Sequence, residues 1–152
     1  MESLAGGAAH GGRDQAGQAS VGAPDRPVAP AAMITLLVVD DHLGFRGTLE
    51  AVLRSAGDLF VLASAGGGEE AVTLAAALRP QVVVMDLVMP GVTGVDATRR
   101  MLAGPEPPVV VALSGSRTLI RDALAAGAAC ALLKESDPED LLAAIRAAAG
   151  EA

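Results

Sequence analysis

Five short apolar runs, each followed by a stretch whose hydrophobic residues recur at helical spacing, predict an α/β domain built on a parallel sheet. Two observations carry this. The runs are continuously apolar rather than alternating, as strands covered on both faces are, and each interval between runs is long enough for a helical crossover. A third sets the size and filling of the core. The chain has 152 residues and is 51% hydrophobic with only 1% aromatics, so one domain must be packed with Ala, Val, Leu and Ile.

Taken in order, ITLLVV (34–39) is the first strand, and residues 43–56 follow as a helix with Phe45, Leu49, Val52 and Leu53 on one face. DLFVLAS (58–64) is the second strand, after which Ala71, Leu74, Ala75 and Leu78 mark the second helix. QVVVM (81–85) is the third, with a helix over 93–103, and PVVVALS (108–114) the fourth, with a helix over 118–126. ACALL (129–133) is the fifth. Asp137-Pro138-Glu139-Asp140 then starts the last helix, with Asp137 as cap, Pro138 in the first turn and acids at the positive end of the dipole. Leu141, Leu142, Ile145 and Ala148 are its apolar stripe. Right-handed crossovers leave few ways to wind five such units within about 118 residues, and the flavodoxin-like doubly wound (βα)5 sheet with strand order 2-1-3-4-5 suits them. A fold of this kind hosts many activities and assigns none.

Composition excludes several classes. The net charge of -7 argues against a sequence-independent grip on nucleic acid. No apolar run approaches the roughly 20 residues that span a bilayer, and no signal-peptide pattern opens the chain, so a cytoplasmic protein without membrane attachment is expected. One cysteine, Cys130, excludes an internal disulfide, and its apolar neighbours indicate a packed thiol. Residues 1–32 are rich in Gly, Ala and Pro with no hydrophobic period; they are expected to be disordered, leaving 33–150 as the folded domain. Met33, directly before the first strand, is a candidate translation start.

In a doubly wound sheet, ligands bind beyond the carboxyl ends of the strands, where the strand order reverses. Asp40 and Asp41 end strand one there and Asp86 ends strand three. Three carboxylates so close repel one another unless a cation lies among them, and an all-oxygen donor set favours a hard ion, Mg2+ above all. Ser114 and Lys134 end strands four and five. Carboxylates, metal, hydroxyl and ammonium together suit a phosphoryl group, with Asp86 as the nucleophile, Ser114 as a donor and Lys134 neutralising charge. GGG at 66–68 lacks the lysine and hydroxyl of a phosphate loop and is read as a flexible turn; His42, a lone imidazole, is placed at a helix start with no chemical role.

VVDDH (38–42), VVVMDLVMPGVTG (82–94), ALSGS (112–116) and ALLKESDPEDLLAAI (131–145) together resemble the receiver domain of two-component response regulators, and DDH with FR at 45–46 is most similar to NarL/LuxR-type receivers. The resemblance implies that Asp86 accepts a phosphoryl group from a sensor histidine kinase or a phosphotransfer protein. It implies Mg2+ on Asp41, Asp86 and the Val88 carbonyl, with Asp40 acting through metal-bound water. Ser114, Lys134 and the Gly115 amide would hold the phosphoryl oxygens, and Pro90 and Gly91 would turn the chain away from the site.

Two departures qualify it. Ala131 stands where receivers usually carry an aromatic that couples to the strand-four hydroxyl, so the usual rotamer-coupled output path is not expected. The sequence ends at AAIRAAAGEA without a recognition helix or basic stripe. It therefore reads either as a stand-alone receiver signalling through an unidentified downstream protein, without direct DNA contact, or as a truncated regulator. Self-association through the fourth and fifth helices is a further expectation, and a degenerate receiver acting as a scaffold is the alternative. An aspartate-nucleophile phosphatase of the haloacid dehalogenase kind would need an acid two residues after Asp86, where Val88 stands.

Overall fold

The computed structural model describes residues 27–29 and 32–150; the disorder expected of residues 1–32 falls almost wholly outside them. The five strands are β1 (Ile34–Val39), β2 (Leu59–Ala65), β3 (Val82–Asp86), β4 (Val109–Ser114) and β5 (Cys130–Leu133). The helices are α1 (Leu43–Ser55), α2 (Gly68–Leu78), α3 (Gly94–Leu102), α4 (Arg117–Ala125) and α5 (Pro138–Gly150). All strand pairs are parallel and the sheet order is β2-β1-β3-β4-β5, the expected doubly wound arrangement.

Alternate residues of each central strand face opposite layers. Leu37, Val39, Val83, Met85, Val110 and Ala112 pack against Ala71 and Ala75 of α2, Val95, Ala97 and Met101 of α3, and Ala123 of α4. Leu36, Val38, Val82, Val84, Val111 and Leu113 pack against Leu49 and Leu53 of α1 and Leu141, Ile145 and Ala148 of α5. This explains the continuous apolar runs, because β1, β3 and β4 are buried on both faces, with only Ile34 and Val109 at the strand starts partly exposed. At the amino edge, Gln81 locks β1 to β3: its amide donates to the Thr35 carbonyl and its Oε1 accepts from the Thr35 amide, both at 3.0 Å.

Helix starts follow local chemistry. The Thr93 hydroxyl accepts from the Asp96 amide at the head of α3, and the Ser116 hydroxyl accepts from the Thr118 amide, which starts α4 at Arg117, one residue before its expected position. Among the described residues, no helix is long and apolar enough to cross a membrane.

Candidate functional site

The carboxyl ends of β1 and β3 lie side by side, Val39 opposite Met85, so Asp40 and Asp86 emerge next to each other. Both are buried, at 0% and 2% exposure, whereas Asp41 is exposed. Oxygens of Asp40, Asp41 and Asp86 lie within 4.8 Å of one another. Across the sheet, the Lys134 amide donates to the Ser114 carbonyl at 2.8 Å, which brings the lysine past the end of β4. Its Nζ stands 3.2 Å from Asp40 Oδ2 and 3.2 Å from Asp86 Oδ1. Four of the expected site residues are thus brought together from three strands.

Their electrostatics are opposed. Burial raises the Asp86 carboxyl above its ordinary range and the charge of Asp40 raises it further; the Val88 amide, donating to Asp86 Oδ1 at 3.2 Å, and Lys134 only partly offset this. Burial pulls Lys134 down, but its contacts with Asp40 and Asp86 outweigh burial and hold the ammonium above its ordinary value. One ammonium among three carboxylates leaves two negative charges uncompensated when all are ionised. The residues fit a hard divalent cation: the donors are oxygens, with no thiolate in the set. The nearest imidazole is committed elsewhere, because His42 Nδ1 accepts from the Phe45 amide at 3.0 Å and caps α1. The His42 amide in turn donates to Asp40 Oδ1 at 2.8 Å, so this residue orders the acid loop without joining the donor set.

Ser114 is at the expected strand end and fully buried, but its hydroxyl is engaged in its own loop. It donates to the Ser116 carbonyl and accepts from the Ser116 amide, each at 2.9 Å. Gly115 follows it and is exposed, and Val88 is 58% exposed. Ala131 is half-buried and packs toward the α3–α4 layer.

Three contributions were not legible beforehand. Gly94 lies so close to β3 that a Cβ there would meet the Asp86 carbonyl at 2.1 Å and Leu87 Cα at 2.6 Å; the TG ending VVVMDLVMPGVTG was the available signal. Gly68 is more than a turn residue, since a Cβ on it would meet the Val92 carbonyl at 2.3 Å, on the segment that returns from the site. That segment turns at Gly91, whose φ of 75° suits glycine. Third, Arg46 reaches back from α1 to donate to the Asp40 carbonyl at 3.2 Å.

Comparisons with known proteins identify the family and the fold. The response regulator receiver domain family matches residues 36–146. The transcriptional regulatory protein LiaR of Bacillus subtilis (strain 168) is 37% identical over 118 residues, 76% of this chain and 56% of LiaR. The nitrate/nitrite response regulator protein NarL of Escherichia coli (strain K12) is 37% identical over 122 residues, 77% of this chain and 56% of NarL. The chain therefore spans about half the length of the curated relatives it matches. Among solved structures, the signal receiver domain of the putative response regulator NarL from Mycobacterium tuberculosis superposes with a TM-score of 0.75 at 29% identity, covering 79% of this chain and 98% of that one. A family match over residues 36–146, NarL among the relatives and a shared fold agree: the chain belongs to the receiver domain family of two-component response regulators.

Proposed function

We propose that residues 33–150 act as a phospho-accepting receiver in which Asp86 takes a phosphoryl group from the phosphohistidine of a sensor histidine kinase or phosphotransfer protein. The supporting observation is the placement of Asp86: a buried strand-end carboxylate 3.2 Å from Lys134, with an oxygen within 4.8 Å of oxygens of two further acids. An Asp86 carboxylate oxygen forms the new O–P bond as the P–N bond to the donor imidazole breaks, and the electron pair leaves with the imidazole nitrogen.

Asp40, Asp41, Asp86 and the Val88 carbonyl are the groups that would hold Mg2+, which neutralises phosphoryl oxygens and draws the acids together. Lys134 is already ionised and placed to move from Asp86 onto an incoming phosphoryl oxygen. Ser114 reaches that oxygen by exchanging its bonds to Ser116 for one to the phosphoryl group, with the Gly115 amide as a second donor. Asp40 stays buried and anchors both Lys134 and the His42 amide during this exchange. The chain catalyses only its own phosphorylation and dephosphorylation, and its output is a protein–protein contact in the cytoplasm.

Intact-mass analysis of the full chain after incubation with acetyl phosphate tests this. One phosphoryl addition that requires Mg2+ and is absent from Asp86→Asn is expected. An addition that persists in the variant, or none in the folded wild type with either acetyl phosphate or a phosphorylated histidine donor, overturns the proposal.

A further inference from the structure

The chain has no Tyr or Trp and only two Phe, and Ala131 leaves β5 without a ring at the position receivers usually give to an aromatic. Of the two, Phe60 pairs with Thr35 near the amino edge of the sheet, away from the acids. Phe45, in the first turn of α1, is the one phenyl ring at the carboxyl edge. Its centroid lies 4.6 Å from Lys134 Nζ, the ammonium that also contacts Asp40 and Asp86 at 3.2 Å each.

That distance is within cation–π range, and the backbone that carries the ring is anchored. The Phe45 amide is tied to His42 Nδ1 at 3.0 Å, and His42 is itself tied to Asp40 Oδ1 at 2.8 Å, so ring and acid are referenced to the same loop. The ring is half-buried and walls a cavity of about 170 Å³ between α1, β5 and the start of α5, together with Leu49, Leu132, Lys134 and Leu141. Two carboxylates restrain Nζ from the β1 and β3 side, and the ring face restrains it from the α1 side. Lys134 is also the chain's single lysine, so no neighbouring ammonium can take over its place.

We infer that Phe45 is a positioning residue for Lys134: its ring face holds the ammonium at Asp86, a task that needs a π-surface and not merely apolar bulk. The inference deepens the proposed phosphoryl transfer and rests on it for its kinetic consequence. Its structural part stands separately, since ring and ammonium are juxtaposed whether or not Asp86 is phosphorylated.

The experiment uses the full chain labelled with 13C,15N-lysine, in which Lys134 supplies the only lysine side-chain signals. Upfield ring-current displacement of the Lys134 Hε resonances is expected in the wild type, retained in Phe45→Tyr and Phe45→Trp, and lost in Phe45→Leu and Phe45→Met. In parallel, Mg2+-dependent phosphorylation by acetyl phosphate should slow about threefold to tenfold in the Leu and Met variants, the change a partly desolvated cation–π contact converts to. The aromatic variants should stay near the wild-type rate. Two aliphatic replacements of different shape keep the test open if one of them fails to fold.

An undisplaced Lys134 signal in the wild type overturns the inference, as does a folded Leu or Met variant that phosphorylates at the wild-type rate. Aromatic variants as slow as the aliphatic ones would reduce Phe45 to a packing residue and likewise overturn it. If no protein takes up a phosphoryl group from acetyl phosphate or from a phosphorylated histidine donor, the reading of Asp86 has failed instead, and the ring-current comparison alone decides the placement of Lys134.

Discussion

Replacing Lys134 by methionine keeps the length of the stem and removes the one ammonium facing two buried carboxylates. Each contact is at 3.2 Å, and a full charge pair at that distance is worth about 5 kcal/mol at an effective dielectric of about 20, before desolvation. Two contacts make about 10 kcal/mol gross, from which the relief of no longer burying the ammonium must be subtracted; removal of one partner from a buried ion pair leaves a net loss of about 3–5 kcal/mol. The lower end applies here, because Asp86 already holds its proton more tightly than an ordinary carboxyl and escapes part of the penalty by taking one up.

A loss of about 3 kcal/mol in a domain this size lowers Tm by about 12 °C. The assay is thermal unfolding followed by far-UV circular dichroism at neutral pH in EDTA, since a chain without Trp or Tyr has no useful intrinsic fluorescence. The deficit should shrink as the pH falls through the elevated folded value of Asp86, because a protonated Asp86 needs no cation. A Lys134→Met protein that melts at or above the wild-type temperature at neutral pH would refute the reasoning, since the buried acids would then not depend on the lysine.

Asp86→Asn should move stability the other way. A carboxyl whose folded value lies above its unfolded one favours folding below the unfolded value and loses that contribution as pH rises through the folded value, so the variant should match wild type in acid and exceed it by about 1 kcal/mol at neutral pH in metal-free urea unfolding. Gly94→Ala places a methyl group 2.1 Å from the Asp86 carbonyl, and β3 and α3 must separate to admit it. A loss of about 2–3 kcal/mol is expected in the same unfolding assay, and a variant within experimental error of wild type would show that the approach is not tight.

Much of the fold was written plainly in the sequence because its strands are extreme. VVVM and VVVALS have no polar face to place outward, and runs of that kind occur where helices cover both sides of a sheet. Element limits moved by a residue or two where a side chain set them: Asp86 belongs to β3 itself, and the Ser116 hydroxyl fixes the start of α4. The convergence of Asp40, Asp41, Asp86 and Lys134 was legible for the same reason, since each follows or closes a recognisable strand. What could not be read were contacts between residues distant in sequence. Phe45 reads as one apolar position of an amphipathic helix, and only the folded chain lays its ring against Lys134, the residue that follows β5. The rotamer of Ser114 depends on whether its hydroxyl finds Ser116 or another acceptor, a balance of single hydrogen bonds that residue order does not specify.

The aspartate at the end of an apolar strand is therefore a local conflict within an otherwise consistent design. Val82, Val83, Val84 and Met85 are fully buried and agree with their environment, while Asp86, one residue on, is held where its charged form is disfavoured. Such a group is sensitive to whatever arrives beside it: a cation that removed the repulsion, or the phosphoryl group of the proposed function drawing Lys134 away, would change the free energy of residues embedded in both helical layers. β3 pairs with β1 and β4 along its length, and Gly94 presses α3 against the Asp86 carbonyl itself. A rearrangement at that carboxylate has little slack to absorb it locally, and must be accommodated by the neighbouring strand ends and the helices seated on them.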